Sequence, residues 1–179
     1  LREFVKEGEG NDLMFPEAFN SSSQIVVGCR LEDVDRVQRE VSGVGRIKAT
    51  VLGAPGAFHT KLMDPAREDF DKALALTPIE PPKIPVIDNL TGETFSQFTN
   101  PDQIRTRLSS HIVEPVRWTR TTSKLARLNL DVFEVGETGV LSRMMKNQGN
   151  ITRAGLGATA VAVGAGFLLL RNRKGRQEE

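Results

Sequence analysis

Hydrophobic positions in the first third of the chain repeat with the period of a helix in one stretch and of a strand in others. Four apolar residues recur at three- and four-residue intervals among charged ones: Leu31, Val34, Val37 and Val41. This spacing predicts an amphipathic helix over residues 31–41. The β-branched runs at 24–29 and 46–52 predict a strand on either side of it. Residues 1–10 resemble the tail of a helix that ends in glycines, so we expect the chain to be processed or to be a piece of a longer product.

Residues beyond 53 alternate between helical and extended patterns. Helices are predicted at 64–76, 100–110, 118–128 and 138–146. Strands are predicted between them, after a proline-rich connection, at 84–88, 93–95 and 131–135. This alternation is typical of a mostly parallel sheet covered by helices, which predicts an α/β fold.

The C-terminal residues 154–170 contain no charged side chain. As a helix they would span about 25 Å, a little less than the hydrocarbon core of a bilayer, and an arginine flanks each end. Their glycines disfavour a helix in water but allow close helix packing in lipid. We therefore predict a transmembrane helix over 151–171, with a buried water-soluble helix as the alternative. Its marker residues are Ala154, Gly157, Ala160, Gly164, Phe167 and Leu170.

The predicted helix is followed by a basic tail, residues 172–179. By the positive-inside tendency, this tail would lie on the stromal or matrix side of an organellar membrane, either a thylakoid or a mitochondrial inner membrane. The lipid bilayer and other subunits of a membrane complex are then the expected partners.

Composition excludes several classes of function. The formal net charge is +1, which gives no bulk attraction to nucleic acid. Cys29 is the only cysteine and there are two histidines, so neither a disulfide nor a cysteine or histidine metal cluster is expected. We expect no cofactor, and we expect Cys29 to be a small buried residue at a strand end.

Residues 53–63 join a predicted strand to a predicted helix and place His59 at the junction. The stretch reads Gly-Ala-Pro-Gly-Ala-Phe-His-Thr-Lys-Leu-Met. Its proline cannot donate to a strand ladder, and its glycines allow backbone angles closed to other residues. Junctions of this kind often carry a functional side chain in α/β proteins, although a lone histidine in a loop can also be a surface or packing residue.

Five further sequence stretches before and after that junction carry a family resemblance. They lie at residues 20–28, 85–92, 115–118, 133–136 and 140–141. In this order and spacing, the series resembles the C-terminal half of the malonyl-CoA:acyl-carrier-protein transacylase family, over roughly residues 1–147. The resemblance implies part of a hydrolase-like parallel sheet at 53–148 and a remnant of a small ferredoxin-like subdomain at 1–52.

The resemblance also implies roles for individual residues. His59 stands at the family's catalytic histidine, which acts as general base toward a serine on a Gly-x-Ser-x-Gly turn. Asn89 would orient that histidine through its backbone carbonyl. His111 falls at or near a family glutamine, which is a departure from the pattern. No Gly-x-Ser-x-Gly occurs in the 179 residues, so we expect the chain alone to be inactive.

Two functions follow from these observations. The first is a membrane-anchored accessory subunit, derived from a truncated acyltransferase domain, in an organellar complex. The alternative is a malonyl-CoA:acyl-carrier-protein transacylase of fatty-acid synthesis whose nucleophile lies outside this chain, with malonyl-CoA and the acyl carrier protein as partners. A third, weaker hypothesis makes the C-terminal helix a soluble docking helix.

Overall fold

The computed structural model describes residues 2–45, 47–128, 132–135, 139–146, 154–156 and 165–172. The helices are α1 (Arg2–Gly10), α2 (Val34–Gly43), α3 (Asp64–Leu76), α4 (Pro101–Val113), α5 (Trp118–Leu128) and α6 (Val140–Lys146). The strands are β1 (Phe15–Ser21), β2 (Gln24–Gly28), β3 (Ile47–Pro55), β4 (Val86–Ile87), β5 (Thr94–Phe95), β6 (Val132–Glu134), β7 (Ala154–Leu156) and β8 (Ala165–Asn172).

The main sheet has the order β1-β2-β8-β3, and each neighbouring pair is antiparallel. Helices α1 and α2 contribute buried side chains to the core that packs on this sheet. The core residues are Val5, Leu13, Met14, Ile25, Val27, Cys29, Val37, Val41 and Ile47. The predicted strands at 24–29 and 46–52 are thereby confirmed, as is the burial of Cys29.

The predicted helix at 31–41 begins three residues later than its pattern suggested. Residues 31–33 form a short 3-10 turn, and Leu31 is 86% exposed. Val37 and Val41 are fully buried, as the helical spacing requires. The apolar stripe therefore identified the buried face, while the first leucine lies before the helix and outside the core.

Strand β1 was not predicted, and it forms a hairpin with β2. Phe15 pairs with Gly28 and Ser21 with Gln24, and the register shifts twice along the pair. Pro16 and a charged residue, Glu17, interrupt any alternation of apolar and polar positions in this stretch. Pairing with β2 therefore overrides a weak local preference for a strand.

The C-terminal apolar segment differs from the predicted transmembrane helix. Its described parts are extended: Ala154 belongs to β7, and Phe167 and Leu170 belong to β8. β8 lies between β2 and β3, with Leu169 opposite Val26 on β2. Among the residues that the structure describes, no helix has both the length and the apolar character needed to cross a bilayer.

The physical reason for this correction is that a short apolar run suits the centre of a sheet as well as it suits a helix. Periodicity does not separate the two, and glycine in a helix interior costs about 1 kcal/mol. Three predicted marker residues of the helix, Gly157, Ala160 and Gly164, lie outside the described residues, as does the tail beyond Asn172.

The second half of the chain is mainly helical in its described residues. Two predicted helix starts are confirmed: Pro65 lies in the first turn of α3, and Asn100 caps α4 by accepting from the Asp102 amide at 2.8 Å. Among the described residues of this part, the predicted mostly parallel sheet is not observed. The described strands give only an antiparallel pair, β4–β5, and a parallel pair, β6–β7, each two or three residues long. Strands this short leave little room for a continuous ladder.

Candidate active site

The segment that carries His59 connects β3 to α3 and is fixed by its own hydrogen bonds. The buried hydroxyl of Thr60 donates to the Ala57 carbonyl at 2.6 Å and accepts from the Leu62 amide at 3.2 Å. The Thr60 carbonyl accepts from the Met63 amide. His59 itself has φ of +58°, in the left-handed region that few non-glycine residues occupy. A strained backbone held by this many contacts is a common feature of functional sites.

Two hydrogen bonds attach His59 to the last turn of α4. Its backbone amide donates to the Ile112 carbonyl at 3.1 Å, and its ring Nδ1 donates to the His111 carbonyl at 2.5 Å. Since a carbonyl can only accept, Nδ1 carries the proton and Nε2 keeps its lone pair in the neutral ring. This is the tautomer that a general base needs.

The surroundings of His59 also favour its neutral form. Burial lowers the pKa of His59, and the charge of His111 lowers it further, while the hydrogen bond to the His111 carbonyl acts in the opposite direction. The net result is a pKa below the ordinary histidine value. The ring therefore remains an unprotonated base to a lower pH than a solvent-exposed histidine would.

The side chain of His111 points to a second polar group, the buried carboxylate of Asp88. Nε2 of His111 donates to Oδ1 of Asp88 at 2.6 Å. The hydroxyl and amide of Thr91 and the amide of Leu90 also donate to Asp88, and Arg107 lies 3.5 Å from it. Burial alone would raise the pKa of Asp88, but these hydrogen bonds together lower it below the ordinary value. Asp88 is thus an ionised anchor for the side chain whose backbone holds His59.

Asn89 does not make the contact predicted for it. Its carbonyl accepts from the Arg117 amide at 2.7 Å, and its side-chain oxygen accepts from Thr121 at 3.2 Å. The carbonyl that orients His59 belongs to His111 instead. His111 therefore has the role that was predicted for Asn89. Through these contacts, Asn89 joins the turn after β4 to the start of α5. The same contacts position Asp88, the residue next to Asn89 in the sequence.

Glu17 is a buried carboxyl group that the sequence did not point to. It is 1% exposed, and within the described part of the chain neither of its carboxyl oxygens has a hydrogen-bond partner. A Cβ added at Gly28 would lie 2.3 Å from Oε1 of Glu17 and 2.8 Å from the Cβ of Ala57, two residues before His59. Burial raises the pKa of Glu17 to about 9, so the group is a neutral acid at pH 7. Charged residues are normally exposed, and no motif marks this one.

These residues can remove a proton but offer no matching nucleophile. No side chain in the described ranges forms a hydrogen bond with Nε2 of His59. Burial raises the pKa of the Cys29 thiol to about 11, which leaves it unreactive at neutral pH. Within the same ranges, no group of three or more histidine, cysteine or acidic residues could hold a metal ion. The arrangement could therefore serve as a base only toward a nucleophile that is not among these residues.

Known proteins are similar to this chain in both sequence and fold. A malonyl CoA-acyl carrier protein transacylase of Haemophilus influenzae is 31% identical over 142 residues, which are 79% of this chain and 45% of the relative. A solved malonyl-CoA:acyl carrier protein transacylase from Xanthomonas oryzae has a TM-score of 0.78 and 29% identity, over 88% of this chain and 51% of that one.

A third similar structure is that of a malonyl-transacylase, which was solved in complex with its type II polyketide-synthase acyl-carrier protein. It has a TM-score of 0.72 and 26% identity, over 89% of this chain and 50% of that one. No protein-family profile matches the chain. The chain spans about half the length of the transacylases it matches, and it shares their α/β acyltransferase fold.

Proposed function

Because the chain belongs, over its matched residues, to the malonyl-CoA:acyl-carrier-protein transacylase family as part of an acyltransferase domain, we propose that it supplies the general base of a malonyl-transfer site. The observation that carries this proposal is the pair of hydrogen bonds from His59 to α4, which fix the ring and leave Nε2 free to accept a proton. Malonyl-CoA is the proposed donor and an acyl carrier protein the proposed acceptor.

The proposed reaction needs a hydroxyl nucleophile from outside these residues, since the chain has no Gly-x-Ser-x-Gly turn. Nε2 of His59 takes the hydroxyl proton as the oxygen attacks the thioester carbonyl, and passes it to the departing thiolate as the C–S bond breaks. In the second half, the carrier thiol attacks the new ester and gives its proton to Nε2. That proton then returns to the released hydroxyl oxygen, which restores the enzyme.

The role of α4 in this reaction is to position the base. The His111 carbonyl holds Nδ1–H in place, and this contact becomes stronger when the ring is protonated, because the donor is then charged. A fixed imidazole avoids reorientation during each of the two proton transfers. Asp88 supports the same turn through the side chain of His111.

The accessory-subunit hypothesis depended on a transmembrane helix, and the described part of that segment is extended. The transacylase function, which relies on His59 and the family alone, is the better supported of the two. The organellar membrane location stays a prediction, and alkaline carbonate extraction of membranes from the source cells tests it. Retention of the chain in the washed membrane fraction would support an anchor.

Reconstitution tests the proposed function. The chain is mixed with a fragment of the Haemophilus relative that carries the family's Gly-x-Ser-x-Gly turn, and transfer of radiolabelled malonyl to the carrier protein is measured. We expect transfer by the mixture and no malonyl bound covalently to the chain alone. His59→Ala should slow transfer by about 10²- to 10⁴-fold, the usual contribution of a general base.

The matched control is Lys72→Ala on α3, an exposed side chain that pairs only with Asp69 in the described structure. This variant should transfer malonyl at the native rate. Covalent loading of the chain alone, or native transfer rates with His59→Ala, would contradict the assignment of His59 as the base.

A further inference from the structure

A cleft with a basic lining lies beside the turn that carries Asp88. It has a volume of about 730 Å³ and is bounded by one face of α5, by Thr91 and Gly92, and by Arg2 of α1. Four of its lining side chains are cationic, and none is acidic: Arg2, Arg120, Lys124 and Arg127. Because the whole chain carries a net charge of only +1, this is a local concentration of positive charge.

The cationic groups of the cleft are not neutralised by neighbouring carboxylates. Among the described residues, none of the four forms an ion pair. Most of the other described arginines do form one. Glu93, which follows Gly92 in the sequence, pairs with Arg107 instead. Unpaired positive charges in a concave site attract a negative ligand more strongly than the same charges on a flat surface.

The spacing of residues on α5 explains why the charges converge. Arg120, Lys124 and Arg127 are separated by four and three residues, so they share one face of the helix. The hydroxyl-bearing Thr119 and Ser123 line the same cleft and add further polar groups. The face therefore combines guanidinium, ammonium and hydroxyl groups, which together suit phosphate oxygens.

Gly92 also lines the cleft and lies directly against α5. Its φ is +76°, and a Cβ there would lie 2.8 Å from the Cβ of Arg120 and 3.4 Å from its carbonyl carbon. The guanidinium of Arg120 donates to the Thr91 carbonyl at 3.4 Å across the same contact. The hydroxyl of Thr91 in turn donates to Asp88. The cleft is thus built on the turn that also supports His111.

We propose that this cleft binds a small ligand that carries clustered phosphate groups, as a nucleotide or a phosphorylated coenzyme does. Its volume lies within the range of about 300–1,000 Å³ that is typical of small-molecule sites, whereas a docked protein would need a broad surface. Arginine side chains bind phosphate through paired N–H donors, which gives this ligand class more hydrogen bonds than a single carboxylate would make. The proposal does not depend on acyl transfer.

Calorimetric titration of the full chain tests this proposal with three probes: inorganic pyrophosphate, coenzyme A and pantetheine. We expect pyrophosphate and coenzyme A to bind and to compete with each other, and pantetheine, which has no phosphate, not to bind at this site. Binding should weaken as salt rises, because the attraction is electrostatic. The double variant Lys124→Gln/Arg127→Gln should weaken pyrophosphate binding by about tenfold or more.

Two further variants make the result specific. The charge-matched control Lys72→Gln/Lys83→Gln removes two exposed cations outside the cleft and should bind pyrophosphate as the native chain does. The exchange Lys124→Arg/Arg127→Lys keeps both charges and should retain binding. Circular dichroism spectra confirm that each variant is folded.

Several results would overturn the phosphate assignment. They are the absence of pyrophosphate binding, equal binding by the Lys124→Gln/Arg127→Gln variant, and binding of coenzyme A that pyrophosphate does not displace. Carrier-protein binding that depends on Lys124 and Arg127, without pyrophosphate binding, would also overturn it and would identify a protein-docking surface. Because pyrophosphate is not an acyl donor, none of these results bears on the role of His59.

Discussion

Asp88 and Glu17 are both buried carboxyl groups near the segment that carries His59, and their surroundings are opposite in character. Asp88 accepts hydrogen bonds from a histidine, a hydroxyl and two backbone amides, and an arginine lies beside it. The carboxyl oxygens of Glu17 accept none from the described residues, and Oε1 lies close to Gly28. The pKa of Asp88 is lowered and that of Glu17 is raised to about 9.

This difference shows that the donors around a buried carboxyl group determine its charge. At Asp88 they compensate for lost hydration, so the group remains an anion and can hold the turn beneath His59. At Glu17 no donor among the described residues compensates, so the group takes up a proton and behaves as a neutral, bulky side chain. One region is therefore a polar support for the candidate base, and the other is part of the packing between the sheet and the His59 segment.

The largest expected effect comes from Glu17. From about pH 5 to about pH 8, we expect the native chain to lose about 4 kcal/mol more of its free energy of unfolding than a Glu17→Gln variant. The folded-state pKa of about 9 lies above the ordinary value of 4.5. Between these two pKa values, unfolding releases a proton from Glu17. The contribution of Glu17 to the free energy of unfolding is therefore complete below pH 4.5 and is lost as the pH rises toward about 9.

Urea unfolding at a series of pH values measures this difference. Glu80→Gln, which changes an exposed side chain in the same way, serves as the control and should follow the native curve. Native and Glu17→Gln curves that run parallel with pH would mean that Glu17 is ionised in the folded chain and has donors that compensate for its burial.

The second expected effect is on Asp88. Asp88→Asn removes the negative charge that His111 and Arg107 face, and it places an amide where donors converge. We expect the free energy of unfolding at pH 7 to fall by about 3 kcal/mol, as is usual when one member of a buried charged network is removed. Denaturation by urea gives the value, and Asp69→Asn on the exposed face of α3 should have no measurable effect. Equal stability of the two variants would show that the network does not support the fold.

The His59 loop was predictable because its signal is local. Glycines and a proline follow a β-branched run, and the histidine comes directly before a helix start. The partner of Nδ1 was assigned to Asn89, yet it is the carbonyl of His111, 52 positions along the chain. That contact depends on where α4 ends and on how α4 packs, which short-range patterns do not determine.

Other errors have the same origin. The apolar C-terminal residues were expected to form a helix, but an apolar run is equally compatible with a central strand of a sheet. Whether it takes that position depends on strands that are distant in the sequence. Glu17 was overlooked because charged residues are usually exposed, and it lies at the register shift between Pro16 and Ala18, which no local pattern predicts. The buried face of α2 was predicted because it depends on neighbours three or four residues away.

The smallest expected effect tests how the Asp88 region acts on the base itself. His111→Gln retains the backbone carbonyl that accepts from Nδ1 of His59 but removes the side-chain charge that lowers the pKa of His59. We expect the titration midpoint of His59 to move to higher pH, so that the ring becomes protonated, and useless as a base, at a pH where the native ring is neutral. The chain has two histidines, so NMR of the variant shows the titration of His59 alone. Lys72→Gln, a charge removed from the exposed face of α3, should leave the midpoint unchanged. An unchanged midpoint in His111→Gln would mean that burial alone sets the pKa of His59, whereas a loss of ring order would mean that the side chain of His111, and not only its carbonyl, holds the base in place.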